Sequence, residues 1–205
     1  MARFLAGAPG LRLEDHPEVY PPSDDTFLIL EAIRRPKGSV LEVGTGSGII
    51  AAACARTAEW VVATDQNPHA VRLARQNIAR NGLEAEVVAA DLFDGISGRF
   101  DMVVFNPPYL PTSPEDVTGD RWLDLSVNGG PDGLGPARRF LAGVEAHLSP
   151  GGRALTLVSS LSAGRLRAPG GLSLRPVGSR KLPFETLTVL EARRVGGRPT
   201  GGRAP

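Results

Sequence analysis

The tetrapeptide Asn106-Pro107-Pro108-Tyr109 holds the residue types best suited to chemistry in this chain of 205 residues. It follows the apolar run 102–105, which predicts a buried strand. Two successive prolines cannot continue a sheet, because they lack the N–H donor and fix φ. The strand is therefore predicted to end in a rigid edge that presents the Asn106 amide, unpaired carbonyls and an aromatic ring. That set suits a planar group bearing NH2, although a proline-terminated strand before an ordinary loop is the structural alternative.

A glycine-rich stretch follows an earlier predicted strand in the pattern Glu42-Val-Gly44-Thr-Gly46-Ser-Gly48. Glycine lets a backbone turn tightly and approach a ligand closely, so the pattern indicates a nucleoside cofactor. A dinucleotide needs a helix N-terminus for its pyrophosphate and usually G-x-G-x-x-G, but here the third glycine comes one residue early. The Glu42 carboxylate would also repel a pyrophosphate, whereas it suits an ammonium or a sulfonium. The two nucleoside cofactors that fit such a stretch are a dinucleotide and S-adenosylmethionine. S-adenosylmethionine fits better.

Two acidic residues are predicted at the ends of the next two strands. Asp65 ends the second strand, where a carboxylate can accept two hydrogen bonds from a ribose diol. Asp91 ends the third strand, where it could accept from an adenine amino group while Leu92 or Phe93 packs against the ring. The structural alternatives are a helix N-terminal acid for Asp65 and a solvated loop acid for Asp91.

Thr26 lies at the start of the first predicted helix, after Asp24 and Asp25. Because this helix precedes the first strand, these three side chains could lie beside whatever the strand ends bind. The alternative is an N-terminal cap whose acids are favoured by the helix dipole.

The predicted elements alternate between strand and helix, which indicates a parallel sheet covered by helices. In such a sheet, ligands bind beyond the carboxyl ends of the strands. The predicted strands cover residues 40–43, 60–64, 86–90, 101–105 and 153–158, with a short antiparallel pair at 172–177 and 184–190. The predicted helices cover residues 27–33, 49–56, 68–81 and 136–148.

The segment 110–135 is predicted to be a long connection, functional in role, with only a hint of helix near 114–117. The domain organisation is predicted as an irregular segment at 1–22, one domain at 23–192 and a disordered basic tail at 193–205.

Composition narrows the class of protein further. A net charge of +1 neither implies nor excludes a nucleic acid partner. The single cysteine, Cys54, rules out an internal disulfide, and the three scattered histidines offer no metal-ligand spacing, so no metal site is expected. No apolar run reaches the roughly 20 residues of a membrane span, and no signal peptide is evident, so the chain is predicted to be cytoplasmic.

Taken together, these residues resemble the HemK-like family of class I S-adenosylmethionine-dependent methyltransferases. The similarity is strongest to the short archaeal and eukaryotic branch, which methylates the glutamine of the Gly-Gly-Gln motif in class 1 translation release factors. It covers nearly all of 18–193 and rests on the stretches 19–27, 41–48, 64–68, 91–93, 106–112, 129–133 and 181–185.

The resemblance implies a seven-stranded Rossmann-like sheet with helices on both faces and the last strand antiparallel. It implies that Asn106 and the Pro107 carbonyl hold the acceptor nitrogen while Tyr109 packs on its plane. It also allows a small zinc-binding activator subunit as a partner, beside the release factor as substrate. The predicted cofactor residues are Thr26, Glu42, Gly44, Gly46, Gly48, Asp65, Asp91, Leu92 and Asn106; the predicted acceptor site is Asn106, Pro107, Pro108 and Tyr109.

Three other functions fit parts of the same pattern. The tetrapeptide also occurs in methyltransferases that act on adenine or guanine in nucleic acid, and Arg121, Arg138 and Arg139 could supply a basic surface. Several nearby aspartates dilute that charge. A small-molecule acceptor would suit the region 159–171, which is shorter than the helix expected there and is broken by glycine and proline. The third alternative is a non-catalytic cofactor-binding subunit, against which the intact tetrapeptide argues.

Overall fold

A computed structural model describes residues 8, 10–162 and 166–196. Seven strands and five α-helices occur in that part of the chain, together with two short 3-10 turns at Pro114–Asp116 and Glu145–His147. The strands are β1 (Ser39–Val43), β2 (Trp60–Asp65), β3 (Glu86–Ala89), β4 (Phe100–Phe105), β5 (Leu148–Ser159), β6 (Leu172–Lys181) and β7 (Thr186–Arg194). The helices are α1 (Asp24–Ile33), α2 (Ile49–Cys54), α3 (Pro68–Arg80), α4 (Arg121–Val127) and α5 (Gly135–Val144).

All seven strands form one sheet in the order β3-β2-β1-β4-β5-β7-β6. The first five strands run parallel, whereas β7 is antiparallel to both β5 and β6. Val43 at the end of β1 pairs with Thr64 of β2 and Phe105 of β4, so three carboxyl ends lie side by side. The predicted fold class, an α/β Rossmann-like sheet with an antiparallel last strand, is confirmed.

Helices cover both faces of this sheet, because successive residues of a strand point to opposite sides. On one face Val40 packs in a core with residues of α1, α2 and α3, including Ile29 and Ala74. On the other face Leu41 packs in a core with α5, including Phe140. The strand β1 is therefore packed between two apolar layers, which fix the position of its carboxyl end.

Some element boundaries differ from the predictions. The helix α2 ends at Cys54 instead of residue 56, and β5 begins at Leu148 instead of residue 153. The strand β6 runs to Lys181 instead of residue 177; as an edge strand it tolerates Pro176, with a register shift between Pro176 and Gly178. The strand β7 runs through Arg194, two residues into the predicted tail, whose residues 197–205 lie outside the described part.

The helix α4 was not predicted at all. Its first turn is capped by Asp120, whose Oδ1 accepts hydrogen bonds from the backbone N–H groups of Trp122 and Leu123, both at 3.0 Å. The aspartates and glycines around α4 are typical of a loop, but Asp120 acts as a helix N-cap. Of the described residues between β5 and β6 (160–162 and 166–171), none lies in a helix or strand.

Residues 11–22, called here the N-terminal strap, contain no helix or strand, yet side chains of α3 and of its C-cap residue hold them in place. The Asn77 side chain accepts from the Glu14 N–H (2.7 Å) and donates to the Glu14 carbonyl (3.1 Å). Asn81 makes the same pair of bonds with Arg12, both at 2.8 Å. Each asparagine thus replaces the partner that a neighbouring strand would supply.

The buried acid Glu191 joins β5, β7 and β6, the three strands at the β6 edge of the sheet. The Glu191 carboxylate of β7 accepts from Arg175 of β6 (2.6 Å) and from Arg193 (2.7 Å), and lies 3.3 Å from Arg153 of β5. Burial alone would raise the pKa of Glu191, but hydrogen bonds from Arg193, Arg175 and Arg153 lower it to about 2. The carboxylate therefore stays charged and ties β5, β6 and β7 together.

Within the described residues, no helix is long and apolar enough to cross a membrane. The same part of the chain contains no group of three or more His, Cys, Asp or Glu side chains that could hold a metal ion.

Candidate active site

A pocket opens where β1, β2 and β4 end, and it collects nearly every residue that the sequence singled out. Gly48 is the exception among the predicted site residues, because it does not line the pocket. The predicted residues that do line it are Thr26, Glu42, Gly44, Gly46, Asp65, Asp91, Leu92, Asn106, Pro107, Pro108 and Tyr109.

The glycine loop contributes in two different ways. Gly46 has φ +52°, a left-handed conformation, and faces open space in which the nearest atoms to an added Cβ would be 4.0 Å away. Gly48 has φ +81°, and a Cβ there would lie 2.8 Å from the Cα of Ala74 in α3. Gly46 therefore leaves room beside the pocket, whereas Gly48 lets α2 and α3 pack closely.

Glu42 is a buried acid that organises the loop. Its Oε2 accepts from the Thr45 hydroxyl (2.7 Å) and from the backbone N–H of Ala51 in α2 (2.8 Å). Burial, with a smaller contribution from the charge of Asp65, raises the pKa of Glu42 to about 8. At pH 7 the free protein therefore holds this carboxyl mostly protonated, and a bound cation would favour its ionised form.

Asp65 connects the end of β2 to the same loop. Its Oδ2 accepts from the Gly46 N–H and its Oδ1 from the Asn67 N–H, both at 2.9 Å. Burial raises the pKa of Asp65, although these backbone bonds counteract the effect. Each carboxylate oxygen can accept a further bond, so the group can still hold a diol.

Asp91 lies near the end of β3 and is already paired. The Arg139 guanidinium of α5 donates to its Oδ2 at 2.8 Å, in an ion pair that is partly exposed. The next residue, Leu92, has φ +52°, which is uncommon for a residue with a side chain. This turn is held by the Thr64 hydroxyl, which donates to the Leu92 carbonyl at 3.3 Å.

The pocket lining carries more acidic than basic side chains. The lining holds four carboxyl groups, from Asp25, Glu42, Asp65 and Asp91, and one guanidinium, from Arg139. A pyrophosphate would meet repulsion here, whereas a nucleoside with an ammonium and a sulfonium would not. The lining therefore fits S-adenosylmethionine and does not fit a dinucleotide.

The tetrapeptide forms the other end of the pocket, beside the first turn of α1. Asp25 in that turn is buried, which raises the pKa of its carboxyl, and the backbone of Thr26 and the nearby Asn106 side chain counteract the effect. The Asn106 Oδ1 is itself buried and accepts no hydrogen bond from the described residues. A buried acceptor without a partner is costly, about 1–3 kcal/mol, so this oxygen is a strong candidate for a ligand contact.

Tyr109 adds an aromatic ring to the pocket lining. Burial raises the pKa of the Tyr109 phenol well above its ordinary value, and the charges of Asp25, Tyr20, Glu185 and Asp24 raise it further. The phenol is therefore neutral at physiological pH and is not a base.

Several lining residues were missed or left without a role by the sequence patterns. Tyr20 comes from the N-terminal strap, and Trp122 from α4, the helix that was not predicted. Arg139 was considered only as part of a basic surface, yet it pairs with Asp91. The signals available were the Tyr-Pro-Pro run at 20–22 and an aromatic residue two positions after the Asp120 cap.

Comparison with known proteins agrees with this geometry. The sequence model of the family described as "Methyltransferase small domain" matches residues 21–119. A putative protein N5-glutamine methyltransferase of Methanocaldococcus jannaschii is 39% identical over 193 residues, which cover 91% of this chain and 97% of the relative. A release factor glutamine methyltransferase of Deinococcus radiodurans is 39% identical over 204 residues, covering 92% of this chain and 71% of the relative.

A solved structure shares the same architecture. It is the Mtq2–Trm112 complex of E. cuniculi, described as responsible for the methylation of the translation termination factor eRF1. It aligns with a TM-score of 0.66 and 25% identity over 87% of this chain and 99% of that chain. The sheet order, the acidic residues of the pocket and the relative that is 39% identical over 97% of its own length all agree with one family. The chain belongs to the HemK-like family of class I S-adenosylmethionine-dependent methyltransferases.

Proposed function

We propose that this protein transfers a methyl group from S-adenosylmethionine to the side-chain amide nitrogen of a glutamine in a protein. The acceptor is the glutamine of the Gly-Gly-Gln motif of a class 1 translation release factor. One observation carries the proposal: the buried, unpartnered Oδ1 of Asn106 lies at the end of β4 in an acidic pocket. The names of the two relatives, both glutamine methyltransferases, support the choice of acceptor.

The end of the pocket formed by Glu42, Asp65 and Asp91, called here the cofactor end, fits S-adenosylmethionine. In this proposal Asp65 holds the ribose diol, Asp91 and Leu92 hold the adenine, and Glu42, once ionised, supplies negative charge next to the glycine loop; all four residues line the pocket. When bound, this cofactor supplies a methyl group on a positively charged sulfur, which makes the methyl carbon electrophilic.

The end of the pocket formed by the tetrapeptide, called here the acceptor end, must activate an amide nitrogen, which is a weak nucleophile. The lone pair of an amide nitrogen is delocalised into its carbonyl, so orientation matters more than a strong base. The Asn106 Oδ1 and the Pro107 carbonyl can accept the two N–H bonds and direct the lone pair. They also stabilise the positive charge that develops on nitrogen, and the neutral Tyr109 ring packs on the amide plane.

Charge around the acceptor end favours a protein over a nucleic acid. Asp24, Asp25 and Glu185 lie close enough to Tyr109 to raise the pKa of its phenol. Two of the arginines that could have formed a basic surface are paired: Arg138 with Asp132 at 2.7 Å, and Arg139 with Asp91. A phosphate backbone would therefore meet mostly negative or neutralised groups.

The direct test is methyl transfer to a purified release factor. The protein is incubated with methyl-tritiated S-adenosylmethionine and the class 1 release factor of its own organism, beside a factor whose Gly-Gly-Gln glutamine is replaced by alanine. The proposal predicts label in the first factor only. Cell extract fractionated into protein, RNA and small molecules tests the alternatives: label in RNA or small molecules alone, or none at all, overturns the proposal.

The same assay addresses a partner subunit. The E. cuniculi relative was solved together with a second protein, Trm112. We infer that a small partner subunit assembles with this chain as well. Protein purified from its native host is expected to carry that subunit and to be more active than the chain alone; equal activity, with no companion protein, contradicts this inference.

A further inference from the structure

Eight large apolar side chains are exposed among the described residues, and their distribution over the surface is uneven. Five of them lie on connections at the carboxyl end of the parallel strands, where the pocket opens, and they are called here the apolar rim: Leu110, Val117, Leu123, Leu161 and Phe184. We propose that the apolar rim is the docking surface for the acceptor protein. This proposal rests on the proposed function, because it names the surface that the release factor covers while its glutamine enters the pocket.

One side of the apolar rim is continuous with the wall of the pocket. Leu110 comes directly after the tetrapeptide and itself lines the pocket. Leu123 lies in α4 next to Trp122, which is another lining residue, and Val117 lies on the same connection between β4 and α5. A protein that reaches the tetrapeptide must therefore pass over this side of the rim.

The other side of the apolar rim lies on two neighbouring loops beyond β5. Leu161 follows β5, and Phe184 lies in the turn between β6 and β7. The Ser160 N–H donates to the Thr186 carbonyl at 2.8 Å, and the Thr186 N–H donates to the Ser160 hydroxyl at 3.0 Å, so the two loops are joined. Because β4 and β5 are parallel and β7 is antiparallel to β5, this turn stands at the same end of the sheet as Asn106.

The strand register gives the distance from Asn106 to this turn. Phe105 pairs with Thr156, and β5 continues from there to Ser159, which pairs with Leu187 of β7. At about 3.3 Å per residue and about 4.8 Å between strands, β7 starts about 10 Å beyond Asn106 and about 10 Å to its side. A standard protein interface covers about 800 Å² of each partner, a disc of about 16 Å radius. A protein that inserts a glutamine at Asn106 therefore covers the turn as well.

Phe184 is exposed although the turn that carries it is firmly held. The Leu182 N–H donates to the Glu185 carbonyl at 2.7 Å, and the Ser159 hydroxyl donates to the Glu185 carboxylate at 2.5 Å. The Leu182 side chain packs against the core, whereas Phe184 is 94% exposed. A polar residue at position 184 would satisfy the turn without exposing apolar surface to water. An aromatic side chain presented on a fixed turn is instead typical of a contact in a protein interface.

Chance exposure explains the distribution less well. Single apolar residues are common on protein surfaces and need no partner. The other three exposed ones are of this kind: Trp60 starts β2, Val88 lies in the edge strand β3, and Val195 follows β7. They lie at the opposite end or at the β3 edge of the sheet, whereas the five rim residues surround one opening.

Steady-state methylation of the release factor tests the docking surface. Phe184→Ser is expected to raise the KM for the release factor about tenfold and Leu123→Ser about threefold, while kcat stays within about twofold. The dissociation constant of the cofactor and the thermal midpoint should match those of the wild type, because both side chains are exposed. Phe184→Leu, which keeps an apolar side chain, should raise the KM less than about threefold. The matched control Val195→Ser should leave the KM unchanged.

A short acceptor separates docking from chemistry. A pentapeptide that starts with Gly-Gly-Gln reaches at most about 7 Å to either side of its glutamine, so it cannot cover the turn at Phe184. Phe184→Ser should therefore methylate this peptide as fast as the wild type does. Equal losses with the peptide and with the release factor overturn the proposal, because Phe184 would then act on the pocket.

The remaining outcomes are also decisive. An unchanged KM for the release factor in both serine variants overturns the docking surface, whether or not analytical ultracentrifugation shows that they lose a second copy or a companion subunit, the two other occupants. If the wild-type protein methylates no release factor, the proposed function and the docking surface fall together. If it does so and the KM is unchanged in both variants, the docking surface alone is wrong.

Discussion

The two ends of the pocket use their polar groups in opposite ways. At the cofactor end, Glu42 and Asp65 each accept two hydrogen bonds from the chain itself, so the binding surface is built before a ligand arrives. At the acceptor end, the Asn106 oxygen has no partner in the described structure. We therefore expect cofactor affinity to depend on a preformed surface and the rate of methyl transfer to depend on the Asn106 oxygen.

The largest expected effect is on the rate, from Asn106→Ala. This variant removes the unpartnered oxygen and should lower the single-turnover rate by about 10²–10³-fold while cofactor affinity holds, because the contact matters most as charge develops on nitrogen. Rapid-quench methylation and isothermal titration measure the two quantities. Undiminished methylation by this variant would remove Asn106 from the reaction, and equal loss of cofactor binding would show that the two ends are not separable.

Asp65→Ala should act at the other end. Loss of the charged hydrogen bonds to a ribose diol is expected to weaken cofactor binding by about 10–100-fold, with a smaller effect on the rate at saturating cofactor. The exposed Asp94, replaced by alanine, serves as the matched control for loss of one acidic side chain. An unchanged dissociation constant in Asp65→Ala would exclude this carboxylate from the site.

Glu42 should make cofactor binding depend on pH. Because its pKa in the free protein is about 8, binding of a cation at pH 7 must ionise it and release a proton. Affinity is therefore expected to rise about 50-fold from pH 6 to pH 8 and at most about twofold further at higher pH. Titrations in buffers of different ionisation enthalpy measure the released proton. In Glu42→Gln the rise should disappear, while Glu59→Gln, a surface control, should keep it; an identical pH profile in both contradicts the assignment.

The smallest effect is expected at Tyr109. Since its phenol stays neutral and its ring provides the packing surface, Tyr109→Phe should keep the rate within about threefold, whereas Tyr109→Ala should lose about tenfold. Steady-state rates at saturating cofactor compare the two. A large loss in the phenylalanine variant would mean that the hydroxyl takes part in the reaction.

The parts of the site that sequence predicted are those that local rules control. The strands before Glu42, Asp65 and Asn106 are short apolar runs that end in glycine, acid or proline, and such endings leave few alternative structures. Because parallel strands align their carboxyl ends, the meeting of these residues followed directly from the fold class.

The parts that were not predicted depend on contacts between distant segments. Asp25 of α1 and Asn106 at the end of β4 line one pocket, and their meeting depends on how α1 packs against the sheet. Gly48 was expected at the cofactor, but its neighbour is Ala74 of α3. The helix α4 was missed because a single acid, Asp120, changes a loop-like composition into a capped helix.

The N-terminal strap has a consequence for the order in which the pocket is assembled. The bond between Glu14 and Asn77 spans 63 residues, so closing it must wait until α3 has formed. Val19 and Tyr20, which line the pocket, belong to that strap. The pocket is therefore not complete with β1 and its glycine loop alone; it also needs α3, which holds the strap, and the later strand end that carries Asn106.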